Sequence, residues 1–500
     1  MEKESWILAT VLGISSVAAV SVYLIMKIVW GRRYKLPPGP WAWPIVGNLS
    51  QLKGGNGFYY KVLEFRQAYG NIFRLKMGVH NVFFVFGHQY VQEILGKHGD
   101  LMTKRPNWMY IPDKILKRKG IFWSYGESWR AMQALLKSAQ EDSAVISALQ
   151  RHLAAEYDVF RSHAKDVACP YTLEYLIRQA SFNFLAAFLL GQRYSYDDTS
   201  MVEMRERIND FGVSTSSANK ANFLPFLAPC LRAQLQTAVR DQEVLFRKFR
   251  EIMQARSNAA RNDPPSDFLQ VYVSKSEKER SADGMTEIDL LRTVVDMFLG
   301  GKDTLLSSAE WILMALVKYP DVQSKCRSEI NEVFGPDQVI QTQDRSKTPY
   351  TLATINEILR MHSPGTGIHM PLTPFHCPEQ DIKVGEYDIP KDSVVLIDCK
   401  ASCQDGQFWL EPDVFKPERF LDSNTTKQIH GDCFTPYGTG PRDCIGKAMA
   451  DIFLYTFTAN VLKNFQVTTR NPEEQLSFEG VYTVFLFPKH FDQVVLKPLE

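Results

Sequence analysis

The sequence predicts an α+β protein that is predominantly helical, with small β-sheets at its edges and one membrane-spanning helix ahead of the body. Three observations carry this. The run from Trp6 to Trp30, "WILATVLGISSVAAVSVYLIMKIVW", contains a single charged residue, Lys27. The middle and the end of the chain place apolar residues at three-to-four spacing. Strand-like runs come only near 70–95 and 379–398, and they do not alternate with helices as βαβ units would.

The apolar run is about the length that spans a bilayer as a helix and is longer than the apolar region of a signal peptide. "MEKES" before it is near neutral, while "GRRYK" after it carries Arg32, Arg33 and Lys35. The positive-inside rule then leaves the bulk of the chain cytosolic. Residues 1–35 read as anchor and basic flank. "KLPPGPWAWPIVGN" follows, and Pro37, Pro38, Pro40 and Pro44 make 36–48 a stiff hinge, since proline fixes φ and stops a helix. Residues 49–500 form the body, for which length alone suggests about three domains of ~150 residues.

Within the body, "NIFRLKM" and "NVFFVFG" read as strands. "SWRAMQALLKSAQ", "ALQRHLAAEYDVFRSHA", "LEYLIRQASFNFLAAFLL" and "RAQLQTAVRDQEVLFRKFREIMQARS" read as helices, interrupted by "SSANKANFLPFLAPC" at 216–230 with its two prolines. A polar stretch precedes a long helix over about 285–318, ended by Pro320. The chain is irregular from 404 to 443, and a last helix follows Cys444.

Composition excludes several classes. Lys and Arg total 57 against 56 Asp and Glu, so no global charge points to nucleic acid. Eight cysteines in 500 residues are too few for a disulfide scaffold and fit a reducing compartment. None falls in a CxxC pair or a His–Cys zinc spacing.

Four segments carry chemistry. The long helix, "TVVDMFLGGKDTLLSSAEWILMAL", is apolar on nearly all faces and is expected to cross the middle of the protein. Gly300 and Gly301 weaken it by ~1 kcal/mol each relative to alanine, and Asp303 and Thr304 follow at once. That pattern fits a small ligand against the backbone with protons delivered to it; on this segment alone a glycine-mediated helix crossing fits somewhat better. In "INEILR", Glu357 and Arg360 share a helical face, a pairing common on surfaces. "FKPERFLD" offers Arg419 as a third member, giving a Glu–Arg–Arg network kept for positioning, since burying ions costs energy.

The fourth segment is "PYGTGPRDCIG", residues 436–446. Cys444 stands just before the last helix, where a metal, a helix N-terminus and backbone N–H groups depress a thiol pKa. Gly438, Gly440 and Gly446 let the backbone approach something flat and bulky, and Arg442 is placed to meet a carboxylate of that ligand. A thiolate ligand to haem iron fits every feature. A structural cysteine in a turn explains the cysteine but not its surroundings.

In this order and at these separations the segments resemble the cytochrome P450 superfamily of haem-thiolate monooxygenases. "GTGPRDCIG" is similar to its cysteine loop, "GGKDT" to its oxygen-binding helix motif, "EILR" to its Glu-x-x-Arg motif and "FKPERF" to its meander arginine. The likeness covers nearly the whole chain. "LLGQRYSYDD", "SDFLQVYV" and "GIFWSYGESWR" are most similar to the animal microsomal group of drug- and steroid-metabolising members. The resemblance implies one catalytic domain over 49–500, in place of the length-based count, and haem b (iron-protoporphyrin IX) as cofactor. It makes Cys444 the axial ligand, with Tyr437 and Gly446 in the ligand loop and Trp129 and Arg442 on the propionates. Thr304 with Asp303 becomes a proton relay toward dioxygen, with Gly300 and Gly301 opening the helix for it. Glu357, Arg360 and Arg419 become the network that locks the fold behind the haem.

Three departures stand out. Tyr437 occupies a position usually held by Phe, and Gln133 one where many members place a propionate-binding Arg. After Arg360 the chain reads one residue longer than usual, with no Arg or His where the next propionate partner is expected; His369 is a substitute or a structural histidine. The implied activity is insertion of one oxygen atom from O₂ into a lipophilic small molecule: a steroid, fatty acid, isoprenoid or xenobiotic. The pocket is implied near 106–122, 210–225, 293–301, 364–371 and 480–485.

No dinucleotide fingerprint is present, so electrons are expected from NADPH-cytochrome P450 reductase, with cytochrome b5 as a second donor. Arg130 and Lys137 mark a docking face or a plain solvated one. "NFLPFLAP" is a segment that dips into membrane lipid or simply connects helices. The expected location is the endoplasmic reticulum membrane. Two alternatives remain from the sequence: a haem-thiolate isomerase or dehydratase of peroxides, which commonly lacks the acid–alcohol pair, and a non-catalytic haem-binding sensor.

Overall fold

The partly alternating "IFRLKM" and the continuous apolar run in "HNVFFVF" form strands β1 (Ile72–Met77) and β2 (His80–Phe86), paired antiparallel across the Gly78–Val79 turn. Gly78 turns with φ +63°, a value costly for residues bearing Cβ. The computed structural model describes residues 33–52, 58–259, 264–275, 277–336, 338–363, 375–421, 433–471, 476–482 and 485–499. The membrane-spanning helix expected over 6–30 lies outside them. Among the described residues no helix is long and apolar enough to cross a membrane.

Ten helices of twelve or more residues frame the described chain: α1 (Phe58–Tyr69), α2 (Glu127–Glu141), α3 (Ser143–Lys165), α4 (Leu173–Leu190), α5 (Thr199–Ser214), α6 (Arg232–Ala259), α7 (Glu287–Lys318), α8 (Pro320–Val333), α9 (Pro349–His362) and α10 (Lys447–Asn464). Their ends are set by side chains. Asp142, Thr172 and Asp198 cap the N-termini of α3, α4 and α5, and Thr286 with Asp289 forms a capping box on α7. Gly191 ends α4 in the left-handed region.

The sheets are small, with three strands in the first and two in each of the others. β3 (Ile382–Val384) pairs with β4 (Tyr387–Ile389), and β5 (Val394–Asp398) joins β2 in parallel to extend the first sheet. β6 (Phe465–Thr469) pairs with β9 (Val494–Pro498), and β7 (Gly480–Tyr482) with β8 (Leu486–Pro488). One continuous apolar core takes buried side chains from all ten helices, and a smaller cluster lies under the first sheet.

α7 is the axis of the core. Its residues are buried almost continuously from Asp289 to Leu299 and from Leu305 to Leu316, as an all-round apolar helix requires. It packs along α4 on one side and α10 on another. The sequence suggested that Gly300 and Gly301 open this helix; instead it stays α-helical from 287 to 318. The glycines serve close packing: a Cβ at Gly300 would press on the Phe122 ring at 3.0 Å, and one at Gly301 on Leu185 of α4 at 3.0 Å.

Candidate active site

The loop 436–446 is shaped by its own backbone and fastened from outside. Gly438 and Gly440 take φ +78° and +82°, and a Cβ at Gly440 would come within 2.9 Å of the Leu95 carbonyl, so both positions favour glycine. The Cys444 N–H donates to the Tyr437 carbonyl at 2.9 Å and closes the loop. Helix α2 grips it through two glutamines seven residues apart: Gln133 donates to the Pro441 carbonyl at 3.0 Å and Gln140 to that of Ile445 at 2.8 Å. On the far side Ser363 donates to the Pro436 carbonyl at 2.8 Å.

Cys444 differs from the other cysteines in its surroundings. Enough protein encloses it that burial pushes the thiol up to about 11, against the Gly446 N–H, which favours the thiolate. Yet the residue is exposed. Protein encloses the residue while part of it stays accessible, which places it in a recess rather than in packed core. Cys433, eleven residues earlier, is 2 % exposed.

A short helical turn, Gly120–Trp123, ties this loop to the centre of α7. Arg442 donates to the carbonyls of Thr103 at 2.6 Å, Ile121 at 3.2 Å and Ser124 at 2.6 Å. Phe122, between those last two acceptors, lays its ring against Gly300 and donates its N–H to Asp296 at 3.1 Å. Gly120 has φ +81°, and a Cβ there would overlap the Asp296 carboxylate and the Arg292 side chain, so the turn seats flush on α7. Gly300, Gly301, Asp303 and Thr304 are all partly exposed, although the helix around them is buried. Cys444, Arg442, Phe122 and the middle of α7 therefore belong to one site.

Thr304 donates its hydroxyl back to the Gly300 carbonyl at 2.7 Å and approaches that of Gly301 at 3.1 Å. Asp303 does not bond Thr304. Its carboxylate pairs with Lys302 and faces Arg178 of α4 at 3.6 Å, and Arg178 in turn pairs with Glu174 near the surface.

Beside the loop, Arg442 stacks its guanidinium 3.8 Å from the centre of the Trp129 indole. Arg105 is buried nearby, donating to the Phe122 carbonyl at 2.8 Å and to that of Phe375 at 3.1 Å. Among the described residues neither arginine has a carboxylate partner. Burial pushes Arg105 down to about 9, and burial with the charge of Arg105 pushes Arg442 down to about 7. His376 joins them, held down to about 3 by burial and then by Arg105, with its Nδ1 at 3.2 Å from the Met102 carbonyl. Buried guanidiniums that repel one another and donate only to neutral carbonyls make a site for a dianion.

Away from this site, Glu357 is fully buried between two arginines. It accepts from Arg360 Nε at 2.8 Å and Nη2 at 3.0 Å, from Arg419 Nε at 3.0 Å and from the Lys416 N–H at 2.9 Å. Arg360 also donates to the Cys403 and Pro412 carbonyls, and Arg419 to those of Leu410, Glu411 and Val414. Tyr437, the unusual aromatic, donates its hydroxyl to Asp451 at 2.8 Å.

Arg105 and His376 escaped the sequence reading. His369, which the sequence reading offered as a substitute partner or a structural histidine after Arg360, lies outside the described residues; the histidine beside the arginines is His376, in the stretch leading to β3. The signals were faint: a lone "KRP" and a lone "FHC". Gln133, where the resemblance leads one to expect an arginine, donates to the loop backbone at Pro441.

Comparison with known proteins places this geometry. A family model described as Cytochrome P450 matches residues 37–494. Cytochrome P450 2H1 of Gallus gallus is 26% identical over 476 residues, covering 93% of this chain and 94% of that protein. Cytochrome P450 2J5 of Mus musculus is 26% identical over 95% of this chain and 94% of its own length. Cytochrome P450 1A1 of Chelon auratus is 28% identical over 90% of this chain and 89% of its own.

Proposed function

The chain belongs to the cytochrome P450 family, and we propose that it is held in the endoplasmic reticulum membrane and takes electrons from NADPH through a separate reductase to oxygenate a lipophilic small molecule. It is an oxidoreductase of the monooxygenase class, and its cofactor is iron-protoporphyrin IX. The observation that carries the assignment is an enclosed yet accessible Cys444 in a loop whose Arg442, like its neighbour Arg105, has no carboxylate partner among the described residues.

These residues fit the haem. Cys444 would ligate the iron, and Arg105, Arg442, Trp129 and His376 would receive the propionates. When bound, haem supplies the iron that activates dioxygen, and an electron-rich thiolate favours O–O cleavage. Thr304 holds a hydroxyl proton at the edge of the site. Asp303 would pass protons inward from the side of Arg178 and Glu174, which lies nearer the surface. Glu357, Arg360 and Arg419 would hold the meander around 410–419 in place. The acid and alcohol of α7 are both present, which argues against a peroxide isomerase.

Two surfaces support the partner assignments. Arg130 and Lys137 are exposed on α2, on the same side of the helix as Gln133 and Gln140, which hold the cysteine loop, and would dock NADPH-cytochrome P450 reductase or cytochrome b5. Trp41, Trp43, Ile45, Val79 and Phe226 are exposed apolar residues. They are neighbours, because Gly47 bridges to Met77 and Gly78 packs on the Phe223 carbonyl. This patch would lie in membrane lipid and supply apolar substrates from it.

The test is turnover with purified reductase in lipid vesicles and a panel of steroids, fatty acids and isoprenoids. We expect substrate-dependent NADPH consumption and a product one oxygen atom heavier. Turnover of a hydroperoxide that needs neither NADPH nor O₂ overturns the proposal.

A further inference from the structure

The hydroxyl of Tyr437 has a use that a phenylalanine could not supply. Tyr437 and Cys444 are already joined by the backbone bond from the Cys444 N–H to the Tyr437 carbonyl, 2.9 Å long. The Tyr437 hydroxyl then reaches 2.8 Å to Asp451, seven residues beyond Cys444 and in the second turn of α10. The ligand cysteine thus lies between two ties made by one residue: a main-chain tie to itself, and a side-chain tie to the helix it leads into. The remaining contacts of the carboxylate are weak. Arg345 stands 4.0 Å away and is well exposed, so the tyrosine is its principal partner.

We infer that Asp451 is a positioning residue for Cys444: it anchors Tyr437, and with it the carbonyl that fixes the Cys444 main chain, and it keeps a carboxylate in the early turns of the helix that Cys444 leads into. This rests on Cys444 being the haem ligand. The charge has a direction of action. Asp443 and Asp451 both oppose negative charge on the Cys444 sulfur, while Lys447, 6.0 Å from the Tyr437 ring, favours it. A nearby anion leaves the sulfur a stronger electron donor to a bound metal and makes that metal harder to reduce.

The two roles separate experimentally. Asp451→Asn keeps an oxygen for the tyrosine hydroxyl and removes the charge. Tyr437→Phe keeps the charge and cuts the tie. On the haem-loaded, full-length protein we expect D451N to shift the reduction midpoint to a more positive potential with the thiolate-type ferrous–CO band retained. We expect Y437F to lose that band on warming about fivefold faster than wild type, the effect of one ~1 kcal/mol hydrogen bond. A wild-type potential in D451N, or a wild-type rate of band loss in Y437F, overturns the inference. Failure of the premise looks different, because the thiolate-type band is then missing from wild type as well.

Discussion

Replacing Glu357 by alanine leaves two guanidiniums facing each other where a carboxylate stood. Arg360 is fully buried and Arg419 nearly so. Four hydrogen bonds disappear, three of them between charged groups. Removing one partner of a buried ion pair costs about 3–5 kcal/mol, because the charge left behind is neither hydrated nor paired. Arg419→Ala is milder: Glu357 keeps both bonds to Arg360, and the loss is one charged hydrogen bond plus contacts to carbonyls near the surface, about 1–3 kcal/mol. Urea unfolding of the haem-loaded protein, followed by tryptophan fluorescence, reads both as shifts of midpoint at unchanged slope. The double variant E357A/R360A is expected to cost less than the two single changes added together, since the second removes the charge that the first strands. A cost for E357A below ~1 kcal/mol would refute the argument that the network is a closed, desolvated unit.

Three further outcomes follow from the same geometry. Gly120→Ala places a Cβ at φ +81° about 2.5 Å from Arg292 Cγ; a loss of ~2 kcal/mol or more and faster amide exchange at Phe122 are expected, and unchanged exchange would contradict the seating of the turn on α7. Burial pushes Glu310 up to about 8 from 4.5, so the folded protein keeps a proton that the unfolded chain releases as pH rises through 4.5. Stability from this group is full below 4.5 and lost toward 8; Glu310→Gln should therefore stabilise more at pH 8 than at pH 5, by up to ~1.4 kcal/mol per pH unit, and equal effects at the two pH values would contradict it. His362, stacked on Trp311 and pushed down to about 3 by burial, stays neutral while the unfolded chain protonates below its ordinary 6.5. Stability then falls as pH drops from 6.5 toward 3, and His362→Phe should flatten that decline in urea midpoints between pH 7 and 5; a decline as steep as wild type would contradict the assignment.

What could be read from the sequence followed from how local each feature is. The cysteine loop, the Gly300–Thr304 segment and the Glu357–Arg360 pair each lie within one turn or one loop, so spacing alone brings their members together. Strands β1 and β2 and the buried axis α7 were legible from period and apolar run. The cation cluster was not, because Arg105 and His376 are 271 residues apart and meet only through the folded chain. The direction of Asp303 was also hidden: adjacency to Thr304 suggests a pair, but neighbouring residues on a helix face different ways, and Arg178 of α4 decides where the carboxylate goes. At Tyr437 the departure was visible and its partner was not, since Asp451 becomes a neighbour only when the loop folds back on α10.

The most direct test of the account is the difference spectrum of the reduced, CO-treated protein. Wild type should show the red-shifted Soret band of thiolate ligation. Cys433→Ala should retain it, and Cys444→Ala should lose it while the chain stays folded by circular dichroism. A wild type that binds haem yet lacks the band, or a Cys444→Ala variant that keeps it, contradicts the assignment of Cys444 as the ligand and the function built on it.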